Sequence, residues 1–194
     1  MSQSNELSHS FNVRLSPDIV RQLKGEQELL AGRFKELRLY DSSPHIAIAT
    51  KFMGVTDSEA FADALTKEFG GDAPWELEFA DFRPSSTNDY IFLHPTKASR
   101  QRLLDMHERA LAVTKHIGLE EQSSGRFRSF SYDPHLSIMK VGSENITAAL
   151  PLVAHDFTGV RMPVMAYELT RQLDGENGFA SFPVVRTLEL ETNA

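Results

Sequence analysis

One short pattern occurs twice in this chain, 90 residues apart, and it restricts the possible folds more than any other feature. Pro44-His45-Ile46-Ala47-Ile48 and Pro134-His135-Leu136-Ser137-Ile138 both read proline, histidine, aliphatic, small, isoleucine. A strand alternates its side chains between two faces. On that period His135, Ser137 and Met139 share one face, while Leu136, Ile138 and, after one kink, Val141 turn to a core. His45 and Ala47 share a face in the first copy, with Ile46 and Ile48 turned inward. The chain therefore reads as two halves that each present a histidine from a strand. A histidine on a strand is also a common half-buried polar residue, so the case rests on the pair.

The rest of the chain repeats one order of elements around these copies. Phe11, Val13 and Leu15 alternate as a short strand, and Ser16-Pro17 reads as an N-cap with proline at the first helical position. Ile19, Val20, Leu23 and Leu30 form a helical stripe ending near Gly32. A strand at 36–40 and a turn at 41–44 lead to the His45 strand. Thr56 and Glu59 have capping-box spacing, opening a helix that buries Phe61, Leu65 and Phe69. Strands follow at 75–82 and 89–93. In the second half Thr96 caps a long helix that Gly118 stops. A polar loop at 120–131 precedes the His135 strand, and a shorter helix starts near Ser143, limited by Pro151. Strands at 164–173 and 182–190 close the chain around a hairpin turn at 174–178.

Strand–helix–strand units with no Gly-rich phosphate loop and no sustained βαβ alternation point to α+β with antiparallel sheets. At 194 residues the chain suits one two-lobed domain spanning 1–194. It has no cysteine, which rules out disulfides and thiolate chemistry and fits a reducing compartment. The N-terminus lacks the apolar core of a secretory signal and no run is long enough to span a membrane, so the expected compartment is the cytoplasm. Net charge is −7, whereas proteins that grip long nucleic acid are usually basic. That balance favours a small or end-bound ligand. Thirteen of the 20 cations are arginine, so a local oxyanion pocket stays open.

An imidazole and a hydroxyl two residues apart on one strand face stand about 6–7 Å apart. That spacing suits a single phosphate: the hydroxyl holds a non-bridging oxygen while the imidazole moves a proton. On these residues the chain resembles the two-histidine (2H) phosphoesterase superfamily, and within it the RNA 2′,3′-cyclic phosphodiesterase and 2′-5′ RNA ligase-like group. The family mark is a His-x-Thr/Ser-x motif on a strand of each of two pseudo-symmetric lobes. His135-Leu136-Ser137-Ile138 matches it fully. His45-Ile46-Ala47-Ile48 departs from it, with Ala47 where the family places a hydroxyl. The resemblance runs over about residues 10–190 and includes an ending in which 166–171 leads to a last strand at Phe182-Pro183.

The resemblance implies a two-lobed fold with antiparallel sheets lining a central groove and helices outside. It also implies a metal-independent phosphodiesterase in which His45 and His135 are the general acid/base pair and Ser137 binds phosphate. Its substrates would be 2′,3′-cyclic phosphate ends, 2′-5′-linked oligonucleotides or small cyclic nucleotides, with no cofactor. Ligation is the same chemistry run with a 5′-hydroxyl as nucleophile. Ala47 motivates a rival from another class, a nucleotide- or RNA-binding module without turnover. Lys51, six residues beyond His45, is a candidate to replace the missing hydroxyl if the strand keeps its phase.

Several other residues have a possible role. Tyr132 is a candidate for stacking on a nucleobase, with Phe130, Arg126 and Arg128 beside it. Tyr90, Phe92 and His94 share a strand face that can line the groove, His94 also reading as a plain strand-end residue. Asp41 and Asp133 read first as turn residues. His107, His116 and His155 lack the paired helical spacing of a metal site, so none is expected.

Overall fold

The computed structural model describes residues 7–34, 44–87, 89–119, 132–153, 159–174 and 180–191. The expected strand at 36–40, Asp41, the loop carrying Arg126, Arg128 and Phe130, His155 and the hairpin tip at 175–178 lie outside those residues.

The first half runs β1 (Leu7–Val13), α1 (Pro17–Arg33), β2 (Ile46–Met53) and α2 (Val55–Phe69). After β3 (Trp75–Pro84), the second repeats it as β4 (Tyr90–Pro95), α3 (Lys97–His116), β5 (Leu136–Lys140) and α4 (Ile146–Ala149). The chain ends with β6 (Arg161–Val164), β7 (Ala166–Arg171), a short β8 (Leu173–Asp174) and β9 (Ala180–Ser181) pair, and β10 (Val184–Glu189).

Eight of these strands form one sheet in the order β10-β7-β1-β2-β5-β4-β3-β6, with antiparallel pairing throughout. The order reads the same from either end in terms of roles, because each histidine strand is central and each partner strand lies outside it. The halves are not split by sequence. β3 crosses to pair with β4, and β7 returns to pair with β1. The run at 164–173, read as one strand, breaks at Met165, and the strands on either side, β6 and β7, join opposite halves. Ala166 and Tyr167 are both buried there, so the alternation loses its phase.

Local chemistry explains most element boundaries. The Ser16 side chain accepts from the Ile19 N–H and Pro17 opens α1. The Thr96 hydroxyl likewise accepts from Ser99 at the start of α3. Gly118, at φ +75°, takes the left-handed conformation that follows that helix and that side chains disfavour. The expected capping box at Thr56 is not formed: α2 starts two residues earlier than that cap implies, at Val55, with Gly54 as its extended N-cap and no side-chain cap bond. β2 runs to Met53 and leaves only Gly54 to change direction, so Thr56 falls inside the first turn. The helix near Ser143 shrinks to four residues before Pro151.

Phe61, Leu65 and Phe69 of α2 are fully buried. Phe69 packs against Phe11 of β1 and Tyr167 of β7 at centroid distances of 5.0 and 5.8 Å. Each such side chain contributes about 1.5–3 kcal/mol by leaving water. From α1, Ile19, Leu23 and Leu30 enter the same core, and the Gln27 side chain donates to the Ile138 carbonyl at 2.7 Å. That bond ties α1 to the strand following His135.

Candidate active site

The two halves of the sheet meet where β2 pairs with β5, at Ile46 and Leu136. Both residues are fully buried, and each directly follows one of the paired histidines. His45 and His135 therefore stand one residue before their strands, at the mouth of each. Carried one residue either way, the antiparallel register sets His45 across from Ser137 and Ala47 across from His135. Burial alternates to match: His45, Ala47 and His135 are half-exposed and Ser137 is exposed, while the residues between them are buried. Diagonal neighbours on one sheet face have backbones about 7–8 Å apart. His45 and His135 occupy such a diagonal.

Each histidine has an aromatic neighbour. Phe92 of β4 lies flat on the His135 ring, with centroids 3.8 Å apart and planes at 22°. Phe182 approaches the His45 ring at 6.2 Å. His135 Nδ1 lies 2.7 Å from the Asp133 carbonyl oxygen. A carbonyl only accepts, so Nδ1 carries the hydrogen and Nε2 is the nitrogen left to exchange a proton in the groove.

Tyr90, Phe92 and His94 share the groove side of β4, all half-buried against fully buried alternate residues. The His94 ring is 6.3 Å from that of His135 and its Nδ1 is 3.9 Å from Asp133. Asp133 also accepts from Arg100 at 3.1 Å. Burial pushes the His94 imidazole below its ordinary value; Asp133 opposes this, while the charges on Arg83 and His135 add to it.

The expectation for Lys51 is not met, because β2 does not keep its phase. Asn12 pairs with Ala47 but Phe11 pairs with Ala49, so Ile48 is an extra residue in a β-bulge. Beyond the bulge Thr50 falls on the groove face, opposite Ser10, with the two hydroxyls 3.3 Å apart. Lys51 falls on the other face, opposite His9. Asn12, beside Ala47, does not replace the hydroxyl either. Its oxygen accepts from Ser10, and its amide nitrogen donates to the Ser10 carbonyl and to Thr170.

Tyr132 stands three residues before His135. Its hydroxyl donates to the Ala47 carbonyl at 2.8 Å, and one ring face lies on His107 of α3, with centroids 4.0 Å apart and planes at 14°. Burial, helped by Asp133, pushes the phenol well above its ordinary value, so it acts as a neutral donor. The structure thus brings His45, His135 and Ser137 onto one sheet face and attaches Tyr132 to the edge of that face. Sequence reasoning missed His107, which as a lone helical histidine carries no spacing signal, and the stacking of Phe92 on His135. Among the described residues no group of three or more His, Asp or Glu side chains is placed to hold a metal ion. No helix among them is long and apolar enough to cross a membrane.

A curled antiparallel sheet with a histidine at the mouth of each central strand defines the two-histidine phosphoesterase arrangement. The chain belongs to the 2′-5′ RNA ligase superfamily, whose family model matches residues 13–176. The fold is similar to that of E. coli LigT in apo form, with a TM-score of 0.69 at 11% identity over 96% of this chain and 99% of that one. It is also similar to TT0787 of Thermus thermophilus, with a TM-score of 0.64 at 18% identity over 94% and 97% of the two chains. Usb1 of Kluyveromyces marxianus is more distant, at TM-score 0.50 and 12% identity over 97% of this chain and all of that one. No curated protein sequence matches the chain.

Proposed function

We propose that this protein is a phosphodiesterase that needs no metal and opens a 2′,3′-cyclic phosphate or a 2′-5′ linkage at the end of a small nucleotide. Membership of the superfamily supports phosphodiesterase or ligase-type chemistry in general. The observation that carries the finer reading is the diagonal of His45 and His135 across the Ile46–Leu136 pair. One imidazole, neutral, takes a proton from water as the water oxygen bonds to phosphorus. The other, protonated, gives its proton to the ribose oxygen as the phosphorus–oxygen bond breaks. Histidine is the side chain whose charge changes near neutral pH, and each positioned proton transfer is worth about 10²–10⁴-fold. Ser137, across from His45, donates to a non-bridging oxygen as charge builds on it. The Asp133 carbonyl keeps His135 in the tautomer that this step requires.

E. coli LigT has been crystallised with 3′-AMP, ATP and NADP+. That supports a small nucleotide as ligand here, as does the net charge of −7. Ala47 favours one second reading, a module that binds nucleotide and turns it over poorly, since His135 faces a methyl group rather than a hydroxyl.

The test is turnover in EDTA on the four 2′,3′-cyclic mononucleotides, a 2′-5′ adenylate oligomer and a 3′-5′ control, with the product phosphate isomer identified. Cleavage of the first two classes and not the control is expected. Binding of these nucleotides without cleavage would move the assignment to the binding module, and cleavage only with added metal would refute the mechanism.

A further inference from the structure

We infer that Tyr132 and His107 are positioning residues that fix the separation of the two catalytic histidines; the role builds on the phosphodiesterase reading above. The need for them starts at the bulge. Ile48 has no partner on β1. On the other side the β2–β5 ladder is the Ile46–Leu136 pair among the described residues and does not reach Ile48. A buried carbonyl without a donor is costly. His107 Nδ1 supplies one, at 2.7 Å from the Ile48 oxygen.

Tyr132 performs the same service one residue earlier, at the Ala47 carbonyl. Successive carbonyls of a regular strand point to opposite edges. Here two rings stacked on each other reach two successive carbonyls, as the bulge allows.

The consequence follows from position in the chain. Ala47 lies two residues after His45, and Tyr132 lies three residues before His135. The Tyr132–Ala47 bond, together with the Ile46–Leu136 pair, closes a short ring of chain that contains His135 and begins one residue after His45. Among the described residues that pair is the whole β2–β5 ladder, and the bond is a second tie beside it that limits how far the two segments can separate. His107, held by α3, sets the plane of the Tyr132 ring. The hydroxyl and one ring face of Tyr132 are therefore committed to the protein. Tyr132 aligns the reacting groups instead of binding the substrate, and a misalignment of about 1 Å can cost 10²-fold in rate.

The test compares Tyr132→Phe, His107→Leu and His107→Asn with wild type, with thermal melting of each variant as a folding control. Asparagine places a donor close to the position of Nδ1, whereas leucine has none. Tyr132→Phe and His107→Leu should lower kcat about tenfold with KM within twofold, and His107→Asn should recover most of the loss. A second readout needs no turnover: the imidazole NMR signals of His45 and His135 during titration with inorganic phosphate. In wild type both should respond at the same phosphate concentration, because one ion touches both rings. In Tyr132→Phe the two responses should separate. Unchanged kcat together with coincident NMR responses in Tyr132→Phe would overturn the proposal. A raised KM at unchanged kcat would also overturn it and make Tyr132 a substrate contact. Absence of turnover in wild type would count against the phosphodiesterase reading alone, and the NMR titration would still decide the positioning role.

Discussion

Ala47 is the residue at which this chain departs from the family pattern, and restoring the hydroxyl gives a quantitative test of the groove. The β2–β5 register places Ala47 across from His135, and its methyl group is half-exposed on the groove face. A threonine there is favoured by the strand and carries its hydroxyl to the side of the phosphate opposite Ser137. A hydrogen bond to a charged group is worth about 1.5–3 kcal/mol, or roughly 10- to 100-fold at 1.36 kcal/mol per decade. Water already reaches this face, which favours the lower end, so the predicted gain in kcat/KM is about tenfold. Shape is separated from hydrogen bonding by comparing Ala47→Thr with Ala47→Val, which fills the same volume without a hydroxyl. The assay is turnover of a 2′,3′-cyclic mononucleotide in EDTA. Ala47→Thr should exceed both wild type and Ala47→Val. Equal rates for the threonine and valine variants would show that position 47 does not face the reacting phosphate, and the register argument would fail.

Three further outcomes follow from particular contacts. Gln27→Leu removes the donor to the buried Ile138 carbonyl and should cost about 1–3 kcal/mol in urea unfolding; an unchanged midpoint would contradict the bond. Phe92→Ala uncovers the His135 ring; at about 0.5–1.5 kcal/mol for an aromatic pair, kcat should fall roughly 2- to 10-fold at constant fold stability, and an unchanged kcat would show that the stack does not hold His135. Burial holds the His9 imidazole below its ordinary 6.5, and the charge of Arg171 adds to this while the bond to the Leu7 carbonyl opposes it. The unfolded chain then binds the proton more readily than the native one, so stability is lost as pH falls through about 6.5. Melting temperature should decline between pH 7.5 and 5.5, and His9→Asn should flatten the slope; an equal slope in the variant would refute the assignment.

The parts of this fold that were legible in the sequence are those decided locally. The two Pro-His copies, the alternation of Tyr90, Phe92 and His94, the caps at Ser16 and Thr96, and the Phe61–Leu65–Phe69 stripe depend on near neighbours in the chain. The parts that were not legible depend on a partner. The extra residue at Ile48 exists only relative to β1, and nothing in the sequence of β2 marks it. It nevertheless sends Lys51 to the wrong face and brings Thr50 into the groove. The break at Met165 is hidden in a hydrophobic run and appears only once β6 and β7 are seen to join different halves. Gly54 displaces Thr56 as N-cap because β2 runs on to Met53. His107 matters only because the bulge leaves a carbonyl for it to satisfy.

The central claim is that His45 and His135 act together on one phosphate. Its most direct test is kcat/KM, in EDTA, for His45→Ala, His135→Ala and the double variant, each shown to melt like wild type. Groups that work as one unit are not additive. Each single variant should lose about 10³-fold or more, and the double variant should be only a few-fold worse than the poorer single one. A single variant that keeps wild-type turnover would contradict the account.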